Sequence, residues 1–105
     1  MTRAVRTVTI VNREGLHARP VMKFIDLAGT FASTVRLSKV TGPQRHPQPG
    51  GTAGEVVDGK SPMEMLLLEA PLGSCLQIVA EGADAEQAVE ALAKLIGEGF
   101  GEELG

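Results

Sequence analysis

Over Ala4 to Val11 (AVRTVTIV) the chain alternates, with Arg6, Val8 and Ile10 on one side and Thr7 and Thr9 on the other. Together with the β-branched content, this predicts a first strand. After the polar connection Asn12 to Gly15 the period changes. Val21, Phe24, Ile25, Ala28 and Phe31 recur at helical spacing and form one apolar stripe, which predicts a helix from about Ala18 to about Gly29. Pro20 falls in its opening turn, where a missing N–H costs nothing, and Gly29 lies near its end. Alternation returns from Ser33 to Val40, placing Val35 and Leu37 inside a second strand.

From Thr41 to Gly54 (TGPQRHPQPGGTAG) three prolines and four glycines leave almost no apolar residue, so a mobile loop insertion is expected at 41–54. Glu55 to Asp58 read as a short third strand closed by a turn at Asp58-Gly59. Ser61-Pro62-Met63-Glu64 has the form of a capping box, with Ser at N-cap, Pro at N1 and Glu at N3, opening a short helix through about Leu68. Pro71, Leu72 and Gly73 turn the chain into a fourth strand, Ser74 to Ala80. Asp84 followed by Gln87 is expected to cap a third helix with the stripe Ala85, Ala88, Val89, Leu92, Leu95 and Ile96, stopped by Gly97 and Gly99. The glycine-rich tail, about 98–105, is expected to fray. The order βαββαβα predicts an α+β fold, one antiparallel sheet with its helices on one face.

At 105 residues the chain suits a single domain spanning 1–105. With three Phe and neither Trp nor Tyr, its core must be built from Leu, Val, Ile, Ala and Met. The formal charge of -3 and the lack of stacking aromatics argue against a nucleic-acid binder and favour a protein partner. Cys75 has no second cysteine to pair with, and no charged-then-apolar leader opens the sequence, so the reducing cytoplasm is the expected compartment. The longest apolar run, around Leu66 to Leu68, is far short of the ~20 residues that cross a bilayer. No membrane insertion is expected. Cys75 alternates with Gln77 and is expected to be a small buried residue without function. His46, between Arg45 and Pro47, has no Cys, Asp or Glu at ligand spacing, so neither a metal nor a cofactor is expected.

The candidate chemistry lies in Gly15-Leu16-His17-Ala18-Arg19-Pro20 (GLHARP), where a strand connection meets a helix N-terminus. First-turn N–H groups and the helix dipole favour an anion there by roughly 0.3–1 kcal/mol, and up to ~2 when partly buried. An imidazole titrates near ~6.5, so a neutral ring at His17 offers a nitrogen lone pair as nucleophile. Arg19 can present a fork of donors to phosphate oxygens, and Gly15 is expected to clear the approach. On spacing alone, a histidine before a helix is more often a cap or a surface residue.

GLHARP in this strand-loop-helix setting resembles the active-site motif of the histidine-containing phosphocarriers (HPr) of the bacterial sugar phosphotransferase system. Lys60-Ser61 before a short helix and Ala80-Glu81-Gly82-Ala83-Asp84 before the last one extend the resemblance, and only 41–54 stands out as extra. The resemblance implies an open-faced β-sandwich, a four-stranded antiparallel sheet with three helices. It implies a phosphoryl carrier, not an autonomous enzyme: Nδ1 of His17 would take phosphate from the phosphoenolpyruvate-dependent enzyme I and pass it to sugar-specific A components. Arg19 would steady the phosphate, with Gly15 and Ala18 contributing backbone at the helix N-terminus. Ser61 matches the serine that an ATP-dependent HPr kinase/phosphorylase modifies in many members. Pro62 departs from the usual large apolar residue, however, and Ser61 is already explained as an N-cap worth ~1 kcal/mol. Met22, Lys23 and Met63 are candidates for a partner-binding patch, whereas Met65 and Leu66 read better as core. Asp26 and Gly29 stand where the family often has basic residues. A monomer is expected. The alternative function is a regulatory protein of the same fold, controlled by phosphorylation at His17 or Ser61 and moving no sugar.

Overall fold

A computed structural model describes residues 2–40 and 56–105. The expected loop insertion, with His46, and the start of the expected third strand lie outside those residues. The elements run β1 (Arg3–Thr9), α1 (Ala18–Ala28), β2 (Thr34–Val40), β3 (Val57–Asp58), α2 (Pro62–Leu67), β4 (Cys75–Glu81) and α3 (Ala85–Gly97), followed by a single 3-10 turn at Gly99–Gly101. This is the βαββαβα order that the hydrophobic pattern predicts.

The sheet is four-stranded and antiparallel in the order β1-β4-β2-β3. Central β4 pairs along its length with β1 from Arg3↔Glu81 to Thr9↔Cys75, and with β2 from Thr34↔Glu81 to Val40↔Cys75. Its alternation then decides which face is covered: Leu76, Ile78 and Ala80 are buried, while Cys75, Gln77, Val79 and Glu81 stay partly open on the other face. Cys75 is therefore half-buried on the uncovered face beside Thr9, not in the core. Helix α3 packs on β1 and β4, and α1 packs on α2 and α3. Phe24, Met65, Leu76, Ile78, Leu92 and Ile96 fill the space between the layers, each contributing about 1.5–3 kcal/mol by leaving water.

Two long-range anchors differ from the local reading. Asp84 stands at the N-cap position of α3, but its side chain makes no cap. Its carboxylate instead accepts from Ala32 N–H (2.8 Å), from Ser33 N–H (2.9 Å) and from the Ser33 hydroxyl, tying the start of α3 to the approach to β2. The tail, expected to fray, docks. Phe100 is buried, Arg13 N–H donates to Glu103 O (2.8 Å), Gly105 N–H donates to Val11 O (3.0 Å), and Asn12 bridges Leu104. An aromatic flanked by glycines with left-handed φ (Gly99 +71°, Gly101 +76°) lets the chain reverse and bury its one large side chain.

Candidate functional site at the start of helix α1

Beyond β1 the chain is pinned by Ile10 N–H to Ser74 O (2.8 Å), Gly15 N–H to Asn12 O (3.1 Å) and Leu16 N–H to Ala70 O (2.8 Å). Gly15 adopts φ +72°, and a Cβ there would lie 2.8 Å from Ala70 O and 2.9 Å from Pro71 Cα. Glycine is thus required by the close passage against Ala70-Pro71, which corrects the expectation that it clears the approach to His17.

His17 is the N-cap of α1, in extended backbone (φ -125°, ψ -168°), and its carbonyl accepts from Val21 N–H (2.9 Å) to close the first turn. Its side chain makes no cap bond, and the first turn holds no acidic residue. Ala18 and Arg19 follow as exposed first-turn residues whose N–H groups have no carbonyl within the helix to bond, and Pro20 has no N–H to satisfy. The positive end of the helix dipole is open to an incoming anion.

The imidazole turns instead toward the tail, where Nε2 lies 3.1 Å from Oε1 of Glu102. An ionised carboxylate can only accept, so Nε2 carries the proton, and whenever the ring is neutral its lone pair sits on Nδ1. The His17 side chain is 42% exposed and that of Glu102 only 14%. The same Glu102 oxygen accepts from Asn12 Nδ2 (3.1 Å), which also donates to Gly15 O (2.7 Å), while the buried Asn12 Oδ1 has no hydrogen-bond partner among the described residues. Burial raises the Glu102 pKa, but hydrogen bonds from His17 and Asn12 and the nearby charges of His17 and Arg19 outweigh it, for a net lowering. Glu102 is ionised at neutral pH.

A concavity at this point gathers Arg13, Arg19 and Lys23 against Glu14, Glu102 and Glu103 around His17. The expected Lys23 is in place on α1, exposed, and its Nζ donates to Phe100 O (2.6 Å), which ties the helix to the tail. Glu102 and Asn12 were not singled out by the sequence pattern. A larger depression along α3, beside the Arg6–Glu90 pair (3.0 Å), contains none of these groups.

The family model described as "PTS HPr component phosphorylation site" matches residues 4–98. The chain belongs to the HPr family of phosphocarrier proteins. It is 38% identical over 97 residues to the phosphocarrier protein HPr of Cupriavidus necator, covering 92% of this chain and 94% of that one. It is 38% identical over 98 residues to the phosphocarrier protein NPr of Proteus mirabilis, covering 93% and 96%. Among solved structures, an HPr of Bacillus anthracis superposes with a TM-score of 0.75 at 30% identity, over 91% of this chain and 99% of that one. The HPr-like open-faced sandwich expected from the motif is the observed fold.

The other motif expected within this HPr fold, Ser61, is the N-cap of α2. Its Oγ accepts from Glu64 N–H (3.3 Å), but the box is not reciprocal, because Glu64 Oε1 accepts from Asp58 N–H (3.0 Å) and not from Ser61. Met22 on α1 is 47% exposed and Met63 on α2 is 74% exposed, while Met65 is buried as expected. Leu66, expected in the core, is 44% exposed because Met65 takes the inward position of that short helix.

Proposed function

We propose that Nδ1 of His17 accepts a phosphoryl group from phosphoenolpyruvate-dependent enzyme I and passes it to sugar-specific A components of the phosphotransferase system. Membership of the phosphocarrier family gives the general activity, a carrier that is not itself a catalyst. The observation that carries the assignment to His17 is its position at an uncapped helix N-terminus with Nε2 engaged by Glu102. That leaves Nδ1 as the nucleophile, with the Ala18 and Arg19 N–H groups and the Arg19 guanidinium available to phosphate oxygens. A shallow, exposed site suits a carrier, since phosphate must be held without being trapped.

Met22 and Met63 supply adaptable apolar contacts for successive partners, with Lys23 contributing through the tail it anchors. The cytoplasm is the fitting compartment for this exchange. Among the described residues no helix is long and apolar enough to cross a membrane. Regulation by an ATP-dependent kinase at Ser61 is the secondary reading, carried by the partly exposed hydroxyl. It has less support, because Glu64 lies one turn on and Pro62 offers no N–H to a phosphate.

The test is intact mass after incubation with phosphoenolpyruvate and active cognate enzyme I. The expected result is a gain of one acid-labile phosphate in the parent and none in His17→Ala. No gain in the parent would overturn the carrier reading.

A further inference from the structure

We infer that Glu102 is a positioning residue for phosphoryl transfer, its carboxylate holding Nε2–H of His17 so that phosphate enters at Nδ1, and balancing the ring charge that the transfer creates. The inference rests on the carrier reading of His17. It assigns to the docked tail a part in the chemistry.

The geometry is built from several elements. Lys23 of α1 holds Phe100 O, Asn12 holds the Glu102 carboxylate, and the Asn12 to Leu104 bridge fixes the segment beyond. Three points along the tail thus aim one nearly buried carboxylate at one ring nitrogen, at 3.1 Å. Such support is what orients a reactive imidazole, in the way a carboxylate behind a histidine fixes its tautomer elsewhere.

The chemistry balances without a further reactant. The Nδ1 lone pair forms the new bond to phosphorus as the bond from phosphorus to the donor breaks, and the donor atom keeps that electron pair. The ring, neutral before, then carries a positive charge shared with Nε2–H, against which Glu102 sets its negative charge. On onward transfer the acceptor attacks phosphorus, and the Nδ1–P electron pair returns to Nδ1. The other charges facing the ring are Arg13 and Glu14 from the connection, Arg19 and Lys23 from α1, and Glu103 from the tail. None of these is hydrogen-bonded to the imidazole; among the described residues Glu102 alone is.

The experiment uses the full chain and two readouts. Nitrogen-15 NMR of the neutral His17 ring measures the tautomer ratio, and phosphorylation with phosphoramidate, a small donor independent of enzyme I, measures how phosphate divides between Nδ1 and Nε2. Glu102→Ala is expected to lower the Nε2–H to Nδ1–H ratio roughly fivefold and to raise the share of phosphate on Nε2. Glu102→Gln, which keeps an acceptor and loses the charge, is expected to fall between Ala and the parent in tautomer ratio while the folded spectrum is retained. If both variants match the parent in both readouts, Glu102 has no positioning role. That outcome is separable from failure of the carrier reading, which is decided by enzyme I acting on the parent.

Discussion

Helices α1 and α2 both begin with a polar N-cap residue and a proline in the first turn, yet their ends are finished differently. At α2, Ser61 turns its hydroxyl inward on Glu64 N–H and the first turn carries that residue's own carboxylate. At α1, His17 turns away to Glu102, makes no cap, and leaves a first turn with no acid in it. The first end meets one of its donors with its own cap; the second has its first-turn donors unspent and its side chain presented for reaction. What differs is the side chain at the cap and where the fold directs it, not helix propensity.

The sharpest way to break the α1 end is through the backbone that delivers it. Gly15→Ala forces a side chain into left-handed backbone against Ala70 and Pro71, and is expected to cost about 2–3 kcal/mol of stability in urea unfolding. Arg19→Ala should leave stability nearly unchanged and slow phosphoryl uptake by roughly tenfold or more, with Arg19→Lys recovering only part because the planar fork is lost. Stopped-flow or quench measurements with enzyme I would check this. At the α2 end the effect reverses: Ser61→Ala is expected to cost ~1 kcal/mol of stability through the lost cap and to leave the uptake rate unchanged.

The smallest effect sharpens the comparison with α3, whose capping position is held by Asp84. Hydrogen bonds from the Ser33 hydroxyl and Ala32 N–H lower this carboxyl's pKa, against a smaller opposing effect of desolvation. A lowered folded-state pKa contributes stability that is present above the ordinary value of 3.8 and is lost as pH falls through the folded value. Thermal melts between neutral pH and pH values below the ordinary carboxyl value should therefore show a shallower acid fall for Asp84→Asn than for the parent.

Much of this was legible in the sequence because it is local. The stripe Val21, Phe24, Ala28 and the alternation Leu76, Ile78, Ala80 give element type and inward face directly, and GLHARP marks the helix start. The site was half legible. His17, Ala18 and Arg19 stand together by chain proximity, but Glu102 lies 85 residues from His17 and 90 from Asn12, and no periodicity connects them. The tail's glycines predicted fraying, whereas Phe100 among them was the one local sign of burial. Asp84 misled for the same reason: its position reads as a cap, and its partners, Ala32 and Ser33, come from across the fold. Residues joined only by the folded topology leave no pattern along the chain.

The most direct test of the contrast between the two helix ends is enzyme I-dependent phosphorylation followed by intact mass on the parent, His17→Ala and Ser61→Ala side by side. The account predicts one acid-labile phosphate on the parent and on Ser61→Ala, and none on His17→Ala. Phosphate retained by folded His17→Ala, or lost from folded Ser61→Ala, would contradict it.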